Sequence, residues 1–336
     1  MRQFFRTPHG AWLNIAVLSY VFLGYGCGLA LLGATSWYAN LIGVLLTAHA
    51  LTCSAYLLHE FAHQSIFKSA TANNVLGVLM TWINGSCYAP FQALRRKHMR
   101  HHIDRADVLT FDYKAFLNRS PAWVRAWVVA AEWAWIPAVE LIMHGYVVFL
   151  PFAKSERHSE RPRVTAIIAL RVIAFALLAW YSIKALLLYF VAYMIMLHVL
   201  RFADAYQHTY DAFAVLEEGA VPDDKVRDRE YEQHNTYSNL VSVAQPWLNI
   251  LLLNFSYHNA HHERPIAPWH DLPALHRELF PADYVQTIPM ITLLRGYHRD
   301  RVKRIVSDDY GVVLAGGPDK VDGFLGAAGV SFLTAV

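Results

Sequence analysis

From Ala11 to Gly33 the chain runs without a single charged residue, and after only Ala34-Thr35-Ser36 a second apolar run extends from Trp37 to Leu58. At about 1.5 Å per residue, each run is long enough as a helix to cross roughly 30 Å of hydrocarbon. So short a linker turns the second helix back along the first, which makes a transmembrane hairpin. Arg2 and Arg6 precede the hairpin and its turn carries no Lys or Arg. The positive-inside bias therefore puts the N-terminus in the cytoplasm and returns the chain there after Leu58. The first run is too long for a signal peptide and lacks a small-residue cleavage site, so it reads as a retained span.

Composition agrees with a membrane setting. Hydrophobic residues make up 55% of the 336 and charged residues 16%, whereas about a quarter of a soluble domain is charged. Lys and Arg total 29 against 26 Asp and Glu, a balance too even to call for nucleic acid and one that suits a lipid bilayer. Cys27, Cys53 and Cys87 lie in apolar stretches with no C-x-x-C spacing and read as buried free thiols. No Gly-x-Gly-x-x-Gly fingerprint follows a strand-like run, so any redox chemistry draws its electrons from another protein.

A second hairpin is expected between Val164 and Leu200, with spans at 164–181 and 184–203 turning at Tyr181-Ser182-Ile183-Lys184. Arg171, inside the first limb, must snorkel or find a partner. Two weaker apolar stretches, Asn74 to Pro90 and Trp127 to Phe152, read as helices lying in the membrane interface, the latter because it carries Glu132, Pro137, Glu140 and His144. Residues 59–126 and 204–300 are then cytoplasmic. The charged runs Asp223-Asp224-Lys225 and Arg227-Asp228-Arg229-Glu230 read as solvated faces. Residues 301–336, with Gly316-Gly317-Pro318 and a Val330-Ser331-Phe332-Leu333 end, form a tail without a motif.

Histidine accounts for 18 of the 336 residues, so one H-x-x-x-H match, here His59 and His63, is expected by chance in a chain of about this length. The string His59-Glu60-Phe61-Ala62-His63 also satisfies the zinc-protease pattern, which makes an intramembrane zinc protease one reading. The triple H-x-x-H-H is expected only on the order of 0.05 times, yet it occurs twice, as His98, His101, His102 and as His258, His261, His262. On a helix, positions i, i+3 and i+4 share a face, so each triple aims three imidazoles at one place. Eight histidines exceed what one four-coordinate zinc uses, so two metals are called for. All-nitrogen ligation with room for dioxygen suits iron. The pattern points to a di-iron oxidase, with Glu60 supporting a ligand or sitting on the helix surface. A metal transporter or sensor would place polar ligands within the spans, whereas these boxes follow them. Convergence of the boxes also requires an even number of crossings between them, which keeps Asn74 to Pro90 and Trp127 to Phe152 from spanning.

These motifs in this order resemble the histidine boxes of the membrane fatty acid desaturase family, and the similarity extends over roughly residues 10 to 300. Asn254-Phe-Ser-Tyr-His258-Asn-Ala-His261-His262, followed by Pro265, Pro268-Trp269 and Leu272-Pro273, is similar to the third-box region of bacterial desaturases. The resemblance implies a single desaturase domain over 1–336. Its fold is an all-α integral membrane protein with two transmembrane hairpins, four spans, capped by a cytoplasmic helical module that holds a di-iron centre. It implies two irons, dioxygen as co-substrate, a fatty acyl lipid or acyl thioester as substrate, and a separate electron-transfer protein of the ferredoxin or cytochrome b5 type. A ninth histidine, His208, follows the second hairpin. Asp204, four residues earlier on the same helical face, stands where the family often has Asn and takes the catalytic role of holding a water, accepting a proton or binding metal. Desaturation of the acyl chain is the reading, with hydroxylation or ketolation of a lipid or terpenoid as alternatives on the same scaffold. The active site and both termini are expected on the cytoplasmic face.

His198, His234, His270 and His276 read as hydrogen-bonded structural residues. The basic cluster Arg95-Arg96-Lys97 reads as meeting anionic lipid headgroups.

Overall fold

The computed structural model describes residues 2–217, 219–307, 310–311, 313, 321–330 and 333–335. The chain is mostly helical, in the order α1 (Ala11–Leu32), α2 (Trp37–His63), α3 (Ala70–Asn84), α4 (Phe91–Asp104), α5 (Tyr113–Arg119), α6 (Ala122–Trp133), α7 (Ala138–Ala153), α8 (Arg161–Tyr181) and α9 (Ile183–Ala205). Shorter helices follow: α10 (Arg229–His234), α11 (His258–Glu263), α12 (Leu272–Leu279), α13 (Met290–Arg299) and α14 (Lys303–Val306). Among the described residues, four helices are long and apolar enough to cross a membrane, namely Ala11–Leu32, Trp37–His63, Ser155–Tyr181 and Ile183–Ala205. α3, α6 and α7 have 15, 12 and 16 residues, too short to cross about 30 Å of hydrocarbon. The expected Trp127 to Phe152 helix is two helices, broken where Trp135 takes a φ of +62°.

Two compact units make up the chain, residues 1–91 with 144–199 and residues 92–143 with 200–336. In the first unit α1 packs closely on α2 because the contact is built from glycine. A Cβ added to Gly43 would lie 2.9 Å from Leu31 Cβ and 3.1 Å from the Gly28 carbonyl oxygen. Asn40 Nδ2 donates to the carbonyls of Leu31, Leu32 and Ala34 at 2.9, 3.0 and 2.9 Å, capping the C-terminal carbonyls that α1 leaves open. Leu32, Val44 and Ala48 bury against Ala185, Tyr189 and Ala192 of α9. Arg171 finds partners: it donates to the Trp82 carbonyl and, at 3.5 Å, to Cys87 Sγ, with its guanidinium 5.5 Å from the Trp82 ring centre. Cys53 and Cys87 are buried, but Cys27 is exposed. The expectation of a buried Cys27 fails because a helix suited to hydrocarbon has an apolar outward face as well as an apolar inward one.

The second unit departs from an all-α fold by two short parallel strand pairs. β1 (Asp107–Leu109) pairs with β2 (Phe213–Val215), and β3 (Ser238–Leu240) pairs with β4 (Thr287–Pro289). Three-residue strands have no readable alternation, which is why hydrophobic patterning misses them. The β1–β2 pair ties the segment after α4 to the segment after His208. β3 in turn braces α11, where Ser238 Oγ donates to Asn259 Oδ1 at 2.9 Å and accepts from the Asn259 amide at 3.1 Å. Leu253 and Asn254, at φ +45° and +56°, turn the chain into α11, and Asn254 Nδ2 donates to the Trp269 carbonyl at 3.2 Å.

The tail is part of this unit's core. Phe324 is fully buried among Tyr206, Tyr237, Leu293 and Tyr297. The amides of Leu325 and Ala327 donate to the carbonyls of Tyr310 and Ala205, both at 2.7 Å. Gly326 holds a φ of +73°, and a Cβ there would meet the Ala205 carbonyl oxygen at 2.6 Å. These residues of the motif-free tail are thus packed, while Gly316, Gly317, Pro318, Ser331 and Phe332 lie outside the described ones.

Candidate metal centre

Within the second unit, His101, His208, His258 and His262 each present one ring nitrogen such that all four lie within 4.8 Å of one another. His101 comes from α4, His258 and His262 from α11, and His208 from the segment after α9. The Nε2 atoms are the ones that meet: His208 is 3.1 Å from His101 and 2.9 Å from His258, and His258 is 3.1 Å from His262.

Partners on the far side of each ring fix what those Nε2 atoms are. His101 Nδ1 lies 2.9 Å from the Ala106 carbonyl, and His262 Nδ1 lies 2.7 Å from Glu232 Oε1. Both oxygens only accept, so each Nδ1 carries the proton. Thr236 Oγ1 donates its one hydrogen to the Glu232 carbonyl at 2.7 Å. It therefore accepts from His208 Nδ1, 3.3 Å away. Nε2 of His101 and Nε2 of His208 thus face each other as two lone pairs with no proton between them. A cation relieves that repulsion. A proton is the poorer candidate, because burial, and then the neighbouring imidazoles, hold His208, His258 and His262 well below the usual histidine range. Neutral imidazole with Nε2 free is the metal-binding form, so the residues fit a metal ion.

A second set lies in the same unit. His102 Nε2 is 3.1 Å from His98 Nε2 and 3.1 Å from His261 Nε2, and His261 is likewise held well below the usual range by burial first. Each H-x-x-H-H triple is thereby divided between two sets, contrary to the expectation that it aims at one place. Helical positions i+3 and i+4 lie about 100° apart around the axis, so adjacent histidines diverge. The i, i+4 pairs, His98 with His102 and His258 with His262, stay together. In the first unit, His59 and His63 end α2 with their rings 4.7 Å apart. Glu60 beside them accepts from Ser65 Oγ at 2.6 Å, and its other oxygen is 3.4 Å from His59 Nδ1. Glu60 is buried and so does not sit on an exposed helix surface.

Asp204 sits in the last turn of α9. The helix ends at Ala205, and His208 is seated instead by a bridge to Thr236, so the expected shared helical face is not how the two are brought together. What joins them is a cavity of about 40 Å³ lined by Asp204, His101, His208, His258, Lys97 and Asp107, among others. Neither Asp204 carboxylate oxygen has a hydrogen-bond partner, and the space is large enough for water.

Lys97 is buried and so does not meet headgroups as the Arg95-Arg96-Lys97 reading expected. Its Nζ donates to Thr110 Oγ1 at 3.2 Å and to the Thr334 carbonyl at 2.9 Å. Burial pushes its pKa down to about 7, with Asp204 and Asp107 opposing. Arg96 is exposed and pairs with Glu217 at 2.7 Å.

Sequence reasoning missed the groups that hold the ligands from behind: Glu232, Thr236 and Asp107. Asp107 lies 3.6 Å from His101 Nδ1 and accepts from Tyr310. Glu232 stands two residues past a charged run read as solvated, and nothing local distinguishes it. The histidines left outside the site have other partners: His234 Nδ1 contacts the Glu230 carbonyl at 2.9 Å and His270 Nδ1 contacts Asp271 at 2.9 Å.

Imidazole sets able to hold metal, on a mostly helical chain with four membrane-length apolar helices, define a class: histidine-ligated membrane metalloproteins. The fatty acid desaturase profile matches residues 35–293, and the chain belongs to the fatty acid desaturase family. No curated protein and no solved structure matches it.

Proposed function

We propose that the protein is a di-iron, O2-dependent oxidoreductase that introduces a double bond into a fatty acyl chain. The observation that supports it most is the pair of facing Nε2 lone pairs on His101 and His208, 3.1 Å apart, in a chain of this family. His101, His208, His258 and His262 hold one iron. His98, His102 and His261 hold the other, and His59 and His63 are assigned as iron ligands by motif and family.

When bound, the two irons supply the reduction of dioxygen that makes an unactivated C–H bond reactive. In the balance, two hydrogens leave adjacent carbons and dioxygen becomes two waters. Two further electrons arrive from a separate carrier of the ferredoxin or cytochrome b5 type, with two protons from solvent. Asp204 orients a water in the cavity it shares with His101, His208 and His258. Glu232, Thr236 and the Ala106 carbonyl keep three imidazoles in the Nδ1–H form, so that their Nε2 atoms remain ligands. The two hairpins anchor the chain in the bilayer, with the histidines and both termini on the cytoplasmic side and α3, α6 and α7 in the interface.

The test is mass spectrometry of lipids from cells expressing the protein and from cells expressing His101→Ala. Acyl chains two mass units lighter, present with the first and absent with the second, are the expected result. New hydroxyl or keto groups would assign a hydroxylase or ketolase. Identical lipids in both would overturn the assignment to acyl oxidation.

A further inference from the structure

Arg105, three residues past His102, has a φ of +49°, a left-handed conformation that disfavours a residue with a Cβ. Strain of this kind persists where surrounding contacts require it, and here the contacts lead to α10. Arg105 Nε donates to Glu232 Oε2 at 3.2 Å, and its Nη1 donates to the Arg227 carbonyl at 2.9 Å. The other oxygen of Glu232 accepts from His262 Nδ1 at 2.7 Å. A single carboxylate, 4% exposed, is thus divided between a cation that follows the second histidine box and an imidazole of the third. Its backbone carbonyl takes the hydroxyl of Thr236, which accepts from His208. α10 therefore stands behind two rings of one set, His262 and His208.

We infer that Arg105 and Glu232 form a charged clamp that sets the tautomer and direction of His262, and that they strengthen the metal site of His101, His208, His258 and His262 selectively over the other. The inference rests on the two-metal reading above. A carboxylate that accepts from Nδ1–H makes Nε2 a stronger donor, and loss of such a partner typically weakens a site by about 10- to 100-fold. The guanidinium keeps the carboxylate ionised and turned toward the ring, since two charge-assisted bonds at its two oxygens leave it no other rotamer of equal energy. Arg105 and Glu232 are positioning residues.

The experiment uses the full chain in detergent, stripped of metal and titrated with Co(II), whose visible absorption reports imidazole ligation. The native protein takes up two equivalents. Glu232→Gln, which keeps the side-chain shape, should weaken one equivalent by about 10- to 100-fold and leave the other unchanged. Arg105→Gly suits the left-handed backbone and removes the guanidinium, so it should weaken the same equivalent without loss of thermal stability. In a His208→Ala background, which leaves one strong site, Glu232→Gln should have no further effect. Native affinity for both equivalents in Glu232→Gln and Arg105→Gly would overturn the clamp. Equal weakening of both sites, or weakening of the site left by His208→Ala, would overturn its selectivity. A native chain that binds fewer than two equivalents would instead remove the two-metal reading beneath it.

Discussion

His208 and His258 bring their Nε2 atoms to 2.9 Å although 50 positions separate them in the chain. Neither belongs to the other's helix. His258 begins α11, and His208 is held by a single bridge to Thr236, whose hydroxyl also fixes its tautomer. Two such constraints on a loop histidine support its proposed role as a ligand, and its removal is the sharpest test of the proposed ligand set.

His208→Ala should therefore express and insert but hold about one iron, where the native chain holds about two. Elemental analysis of protein from iron-rich medium reads this directly. His270→Ala, whose ring contacts Asp271 at 2.9 Å, should keep both. Two irons and full activity in His208→Ala would show that the eight box histidines suffice.

Asp204→Asn separates the roles open to a carboxylate that has no hydrogen-bond partner in the cavity. Asn orients a water nearly as well as Asp but carries no charge. Orientation of water is the expected role, and turnover within about tenfold of native fits it. A loss of more than about a hundredfold would assign a proton or a metal bond to the carboxylate.

The stability of the metal-free protein should depend on acid. Histidine in an unfolded chain titrates at about 6.5, whereas burial holds His208, His258, His261 and His262 well below that in the fold. Between the two values the unfolded chain binds protons that the folded chain refuses. Stability is complete above about pH 6.5 and falls as pH drops through it, by up to about 1.4 kcal/mol per unit for each histidine. The melting midpoint of stripped protein should decline as pH falls from about 6.5 to 5, and bound iron should raise the midpoint without flattening the decline, because metal keeps the rings deprotonated in the fold. A flat profile would contradict the assignment of neutral, buried rings.

Phe324→Ala should destabilise the protein by roughly 3–5 kcal/mol, because the ring is fully buried and packs edge-on against Tyr206 at 4.9 Å between centres. Thermal denaturation of the purified chain is the measurement. An unchanged midpoint would return the tail to a dispensable appendage.

Membrane orientation is open to labelling in a background without Cys27, Cys53 and Cys87. Cysteine at Thr35, which is exposed, or at Ser182, which is half-buried, should react with an impermeant reagent added outside the cell. Cysteine at Asp104 or Arg264 should react only after permeabilisation. Outside labelling at either of the latter would place a histidine box on the wrong side of the bilayer.

The four membrane-length helices and the eight box histidines were legible because their signals are local: apolar runs of fixed length, and imidazoles three and four residues apart on one turn of helix. Family membership rests on the same local strings. How the triples divide was not legible, since His101 and His102 are neighbours in sequence and their divergence matters only when α11 supplies a partner for each. Nor was the burial of Lys97 among basic neighbours, which depends on a carbonyl from Thr334 near the far end of the chain. Three-residue strands left no pattern, yet β1 with β2 and β3 with β4 brace the loops that seat His208 and α11. Glu232 and Arg105 carry no motif at all. Sequence alone determined which side chains are available to hold metal and which segments can enter a bilayer, because both follow from residue type and helical period. Tertiary structure decided which rings share a set, which tautomer each adopts and what stands behind it, because hydrogen bonds between distant segments form only when the whole unit packs.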